Sequence, residues 1–307
     1  MGSGSKMKKA LIIGITGQDG HYLSEFLSSK DYAVHRLIRG IDITAEGSLA
    51  TDFEELQPDE VYNLSGRLHL PDVWKFPITS AKVNALAPLN ILETIRLKCP
   101  KARFFQASSS EMFGAVEEWP QRETTPFKPR NPYGTAKAFA HETVKLYRET
   151  YKLFACSGIL YNHESPRRSM QFVSRKITYE VARIKRGVSD KLELGNIFAR
   201  RDRGFAGDYV KAMWLMLQAE KPQDYIIATG KSYTVEYMAK VAFESVGLDY
   251  KKYLVTNPNL LWVNDDDNLV GDITKIKTEL GWEPEMSFEK MIGLMVENDL
   301  QGSVNNK

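Results

Sequence analysis

The stretch KKALIIGITGQDG, from Lys8 to Gly20, constrains this chain more than any other. A short apolar run ends in glycines, and Tyr22, Leu23, Phe26 and Leu27 then recur at helical spacing. The run is too short for a buried helix and reads as a parallel-sheet strand. Strand, glycine turn and helix in that order open a dinucleotide-binding βαβ unit. Gly14, Gly17 and Gly20 stand three residues apart. That spacing lets the backbone turn tightly and approach a pyrophosphate held by the amides and dipole of a helix N-terminus. A tight turn without a ligand gives the same pattern, but the place between strand and helix favours the cofactor.

Strands and helices go on alternating through the first half. The spacing predicts strands over 33–38, 60–64, 103–107 and 154–161, and helices over 53–56, 85–97 and 136–151. This argues for an α/β fold, a doubly wound parallel sheet of the Rossmann kind. After about residue 162 the pattern loosens into Pro-, Arg- and Asn-bearing loops between helices such as 208–218 and 234–246. We expect a dinucleotide-binding domain over 7–161. A smaller α/β lobe over 162–301 would be mainly substrate-binding, with segments returning to the sheet. Ligands of such folds sit at the carboxyl ends of the strands, beside the switch in strand order. One connection is odd. Only Gly40 and Ile41 separate Arg39 from Asp42, where a crossover between parallel strands takes roughly ten or more residues. Either a helix has been lost there or the sequence skips a stretch of chain.

Composition excludes several classes of function. Lys and Arg total 41 against 39 Asp and Glu, a net charge of +2, so there is no electrostatic case for nucleic-acid binding. No apolar run approaches the roughly 20 residues that span a bilayer. Residues 1–6 read as a tag remnant before a native start at Met7, without a signal peptide. Only Cys99 and Cys156 occur, which speaks against a disulfide framework or a Cys-based zinc site and makes a reducing cytoplasm the default. His69, His163 and the other scattered histidines lack close paired spacing, so no metal is expected.

Two further constellations carry chemistry. Tyr133 and Lys137 stand four apart on a predicted helix and point the same way. An ammonium beside a phenol favours its ionised form, so the tyrosine could act as a base toward a substrate hydroxyl. Taken alone, a surface Tyr/Lys pair is the better reading. The run Ala107-Ser108-Ser109-Ser110-Glu111 changes that. It follows a predicted strand, and Ser109 precedes the tyrosine by 24 residues. One of its hydroxyls could polarise the same substrate oxygen. Glycine turn, strand-end serine and Tyr-x-x-x-Lys in this order form a coherent dehydrogenase site.

With those residues in view, the chain resembles the extended short-chain dehydrogenase/reductases, and within them the GDP-mannose 4,6-dehydratase family. The resemblance covers nearly everything from Met7 to Leu300. It is carried by GITGQDG, QPDEVYNL (Gln57 to Leu64), ASSSEMFG (Ala107 to Gly114), ETTPFKPRNPYGTAK (Glu123 to Lys137) and LVGD (Leu269 to Asp272), and most selectively by NHESPRR (Asn162 to Arg168). It implies conversion of a GDP-hexose to the GDP-4-keto-6-deoxyhexose by internal hydride transfer and water loss. Tyr133 would take the 4-hydroxyl proton, Lys137 hold the ribose and lower the tyrosine pKa, and Ser109 polarise the 4-oxygen. Glu111 would take the C5 proton and help expel the 6-hydroxyl. The implied cofactor contacts are Gly14, Ile15, Thr16, Gly17, Gln18, Asp19, Arg39, Asp42, Ile43, Leu64, Ser65, Gly66, Tyr133, Lys137, His163 and Arg168. The implied substrate contacts are Asn162, Lys176, Leu194, Gly195 and Arg201. NADP is the implied cofactor, with NAD possible, and a homodimer through a two-helix face the implied assembly.

The chain departs from the family pattern in two places. Trp262-Val263-Asn264-Asp265 replaces an Arg-Pro-Ala-Glu segment whose Arg grips the diphosphate, a charge-assisted contact that Arg201, Arg203 or Lys176 could replace. Arg67 to Trp74 replaces a small, polar run that would face the sugar. A related substrate such as a GDP-heptose is therefore an alternative. A nucleotide-sugar 4-dehydrogenase, 4-reductase or epimerase would use Ser109, Tyr133 and Lys137 equally well. A non-catalytic protein that binds the same ligands is the third reading, opposed by the intact Ser/Glu/Tyr/Lys set.

Overall fold

A computed structural model describes residues 7–37, 40–66, 70–260 and 268–302. Its first half runs β1 (Lys9–Ile13), α1 (Gln18–Ser28), β2 (Ala33–His35), α2 (Ala50–Leu56), β3 (Glu60–Asn63), α3 (Leu70–Lys75), α4 (Pro77–Ala81), a π turn (Lys82–Leu86), α5 (Ala87–Lys98), β4 (Arg103–Ser109), a 3-10 turn (Ser110–Met112), α6 (Pro132–Tyr151) and β5 (Ala155–Leu160). Then come β6 (Asn162–Glu164), α7 (Val173–Lys185), β7 (Leu192–Leu194), β8 (Arg200–Phe205), α8 (Ala206–Gln218), β9 (Tyr225–Ile227), β10 (Ser232–Thr234), α9 (Val235–Glu244), β11 (Leu254–Thr256), α10 (Thr274–Leu280) and α11 (Phe288–Gly302).

The main sheet has six parallel strands in the order β2-β1-β3-β4-β5-β9. Period-2 alternation sends successive strand residues to opposite faces. Ala10, Ile12, Tyr62 and Phe105 join a core with Leu23 and Leu27 of α1 and Tyr209 and Met213 of α8. Leu11, Ile13, Val61 and Phe104 join a second core with Phe53 of α2, Ile91 and Ile95 of α5 and Val144 of α6. Helices thus cover both faces, as the doubly wound reading expects. A third core is separate from the sheet: Ile177 and Val181 of α7, Met238 and Phe243 of α9, and Met291 and Met295 of α11. Small sheets accompany it, β10-β8-β6 and the parallel pair β11-β7. Among the described residues no helix is long and apolar enough to cross a membrane.

The odd connection between β2 and β3 keeps a helix, the short α2, with Leu49 and Phe53 fully buried against the sheet. Strand β2 is shorter than the apolar pattern predicts, ending at His35. The order of strands reverses between β1 and β3, so the turns that follow these two strands face one another at the topological switch point.

Candidate active site

The glycine turn after β1 is shaped for close approach. Gly14 has φ +91°, and a Cβ on it would meet the backbone of Leu64 and Ser65 at 2.9 Å. A Cβ on Gly20 would lie 2.5 Å from the Gly14 carbonyl oxygen and the Ile15 Cα. Gly17 caps α1 without a side-chain hydrogen bond, so amide donors at the helix start point outward with its positive dipole end. This cradle, which side chains would fill, fits the diphosphate of a dinucleotide.

The opposite wall comes from the ends of β4, β5 and β6 and the start of α6. Asn131 caps α6 by accepting a hydrogen bond from the Gly134 amide at 2.7 Å, with Pro132 in the first turn. That start fixes Tyr133 and, one turn on, Lys137. Both are buried. Ser109 Oγ accepts from the Glu111 amide at 3.2 Å, which begins the 3-10 turn carrying Glu111. Turn and helix are packed so closely that a Cβ on Gly134 would stand 2.4 Å from the Glu111 carbonyl oxygen. Ser109, Glu111, Tyr133 and Lys137 all line one cleft of about 940 Å³, together with the glycine turn.

The electrostatics differ from the sequence reading in one respect. Burial is the largest influence on Tyr133 and pushes its hydroxyl above the ordinary tyrosine range; the Ser109 hydroxyl works against that rise and the Glu111 carboxylate adds to it. The expected lowering by Lys137 is not found. Its Nζ donates to the Ala107 carbonyl at 2.8 Å and lies 5.7 Å from the Tyr133 ring centroid. Burial pulls the Lys137 ammonium down to about 8, with the Asp19 carboxylate opposing.

A polar network ties the glycine turn to β6. His163 Nδ1 donates to the Tyr161 carbonyl at 2.7 Å, and Nε2 faces Asp19 Oδ2 at 2.9 Å. With acceptors on both ring nitrogens, the imidazolium is the form that satisfies the site. Burial alone would push the His163 pKa down; Asp19 reverses this to a net rise. Gln18 Nε2 donates to the His163 carbonyl at 3.1 Å and Gln18 Oε1 accepts from Ser165 Oγ at 2.7 Å. Beside this network the buried Glu164 accepts from Ser174 Oγ at 2.6 Å and pairs with Arg168 at 3.1 Å. Arg168 in turn stacks on Phe172, 3.6 Å from the ring centroid.

Of the other predicted contacts, Gly14, Thr16, Gly17, Gln18, Asp19, Leu64, Ser65, Gly66, His163 and Arg168 line the cleft. So do Asn162, Lys176, Leu194, Gly195 and Arg201. Three predicted cofactor residues do not. Ile15 packs against the core under α1. The Asp42 carboxylate turns back on its own loop and accepts from Thr44 N at 2.9 Å and Thr44 Oγ1 at 2.7 Å. Ile43 packs against the α2–α5 core, its carbonyl accepting from Asn90 at 3.0 Å. Arg39, His69 and the Trp262 to Asp265 segment lie outside the described residues. The sequence reading missed Asn131, whose signal was present: an Asn directly before a Pro that opens a helix.

Comparison with known proteins decides the family. The family model described as GDP-mannose 4,6 dehydratase matches residues 38–295. This chain belongs to the GDP-mannose 4,6-dehydratase family. GDP-mannose 4,6 dehydratase 2 of Arabidopsis thaliana is 46% identical over 326 residues, covering 96% of this chain and 87% of the relative. GDP-mannose 4,6-dehydratase of Yersinia enterocolitica is 40% identical over 351 residues, covering 96% and 94%. Both alignments are longer than the 307-residue chain, so these family members carry segments with no counterpart here. The solved structure of RMD from Pseudomonas aeruginosa complexed with NADPH superposes with a TM-score of 0.86 at 22% identity, covering 96% of this chain and 99% of that one. It shares the fold.

Proposed function

We propose that this chain is a GDP-mannose 4,6-dehydratase, a lyase that converts GDP-mannose to the GDP-4-keto-6-deoxyhexose and recycles a nicotinamide cofactor, NADP. One observation carries the reading: Ser109, Glu111, Tyr133 and Lys137 share a cleft with a backbone cradle that fits a dinucleotide, in a chain of this family. The glycine turn and Lys137 would hold a nicotinamide cofactor in this cleft, and when bound it would supply the hydride chemistry that links C4 and C6. Tyr133 takes the 4-hydroxyl proton and Ser109 polarises the 4-oxygen. Lys137 holds the ribose. The 4-ketone acidifies C5, Glu111 accepts that proton, and Glu111 then delivers it to the departing 6-hydroxyl as water. Tyr133 returns its proton to C5. The net change is one water lost, with both side chains restored. The same reading makes the lobe built on α7, α9 and α11 the main holder of the sugar nucleotide.

Replacing Glu111 with Gln tests the assignment. Water loss should fall by roughly 100-fold or more, the scale of a general base, while oxidation at C4 stays measurable as reduced cofactor. Unchanged release of the 4-keto-6-deoxy product, read by mass spectrometry, would refute the role.

A second substrate is favoured by Trp74, which comes from the run that departs from the family pattern and lines the cleft. Its bulk would reshape the sugar site, and a GDP-heptose is the competitor. Parallel incubations with both sugar nucleotides, followed by mass spectrometry, separate the two. For assembly we propose a homodimer in the cytoplasm. Helices α5 and α6 pack side by side, and α5 exposes Leu97 while α6 exposes Phe139 and Leu146.

A further inference from the structure

Asn131 connects two parts of the site that the chain supplies separately. Its Oδ1 accepts from the Gly134 amide at 2.7 Å, the cap that starts α6. Its Nδ2 donates to Glu111 Oε2 at 2.8 Å. The two contacts fix each other. The Gly134 N–H needs an acceptor, so the amide oxygen must face the helix and the amide nitrogen must face the carboxylate. A flipped amide would set the nitrogen against an N–H and the oxygen against a carboxylate, losing both bonds.

We infer that Asn131 is a positioning residue for Glu111: it holds one carboxylate oxygen, Oε2, and so aims the other at the C5 hydrogen, in register with the helix that carries Tyr133 and Lys137. The inference rests on the dehydratase reading and deepens it. C4 oxidation uses Tyr133, Ser109 and the cofactor. Proton removal at C5 uses Glu111. Because Asn131 touches only the second of these groups by side-chain hydrogen bond, among the described contacts, its loss should separate the two steps. A residue that merely stabilised the start of α6 would weaken both together.

Capping and positioning are separable by substitution. Asn131→Ser keeps an oxygen that caps well but is too short to reach Glu111. Asn131→Asp keeps both the cap and the length, and sets a second carboxylate against Glu111 in place of the N–H. Both variants should melt within a few degrees of the unsubstituted protein. With GDP-mannose and NADP, both should form reduced cofactor at close to the ordinary rate in a single turnover. Both should then lose water at least tenfold more slowly, so that reduced cofactor accumulates on the enzyme. Exchange of the C5 hydrogen with deuterated water should slow by the same factor. If water loss keeps pace with C4 oxidation in both variants, or if both steps fall equally, the inference is overturned. If the unsubstituted protein forms no 4-keto-6-deoxy product, the dehydratase reading falls first, and the inference with it.

Discussion

Lys137 shows how far a residue's chemistry depends on what surrounds it. The Tyr-x-x-x-Lys spacing places both side chains on one face of α6, and this much was legible. Spacing does not reveal burial, and burial dominates both groups, raising the phenol and lowering the ammonium to about 8. The lowered lysine has a consequence for stability. Unfolded, Lys137 keeps its proton up to its ordinary value of 10.5; folded, it loses it above about 8. Between these two values the unfolded chain binds more protons, so stability attributable to this group rises with pH. Below pH 8 the full cost of burying the charge is present, on the order of 3 kcal/mol. Replacing Lys137 with Met should therefore stabilise the protein near neutral pH, with the advantage shrinking from pH 8 to 10.5. Urea midpoints of both proteins across that range would check it. A constant difference would mean that the ammonium is not desolvated as described.

Among elements, the glycine turn and its helix were the most legible, because the glycines at 14 and 20 are required by backbone contacts and not by side-chain packing. Gly20 packs against the Gly14 carbonyl and Ile15 within α1's first turn. Gly20→Ala would push the turn open by a few tenths of an ångström or more, since the obstructing atoms are backbone. We expect dinucleotide affinity to fall at least tenfold with the fold retained, measurable by titrating the quenching of protein fluorescence with NADPH. Equal affinity would mean the cradle does not hold the diphosphate. Other elements were less legible. Asp42 and Ile43 lie apart from the cleft lining because the loop after β2 folds onto itself and onto α2 and α5, contacts that no local pattern announces. The link from Asp19 to His163 joins residues 144 apart, and only the folded sheet brings them together.

For the whole molecule, the alternating pattern announced the doubly wound sheet but not which late segments complete it. Strand β9 and helix α8 come from beyond residue 162, yet β9 pairs with β5 and α8 packs on the sheet. Their apolar residues look like those of any buried element, so sequence alone leaves their partners open. The dimer proposal is tested at this scale. Phe139 and Leu146 stand seven apart on α6, 47% and 58% exposed. Replacing both with Glu should halve the solution mass measured by light scattering and leave the far-ultraviolet spectrum intact. An unchanged mass would place the assembly on another face or remove it.

The late arrival of β9 bears on how this protein is made. Strand β5 is buried along its whole length and is flanked by β9 only after some sixty more residues have been synthesised. Until then a nascent chain presents an apolar, unpaired strand edge. Asp224 closes that seam, bonding both the Arg148 guanidinium and the Ser157 amide. A polypeptide released early, with its dinucleotide half fully translated, is thus left open along one margin and prone to clump rather than to persist as a free-standing domain.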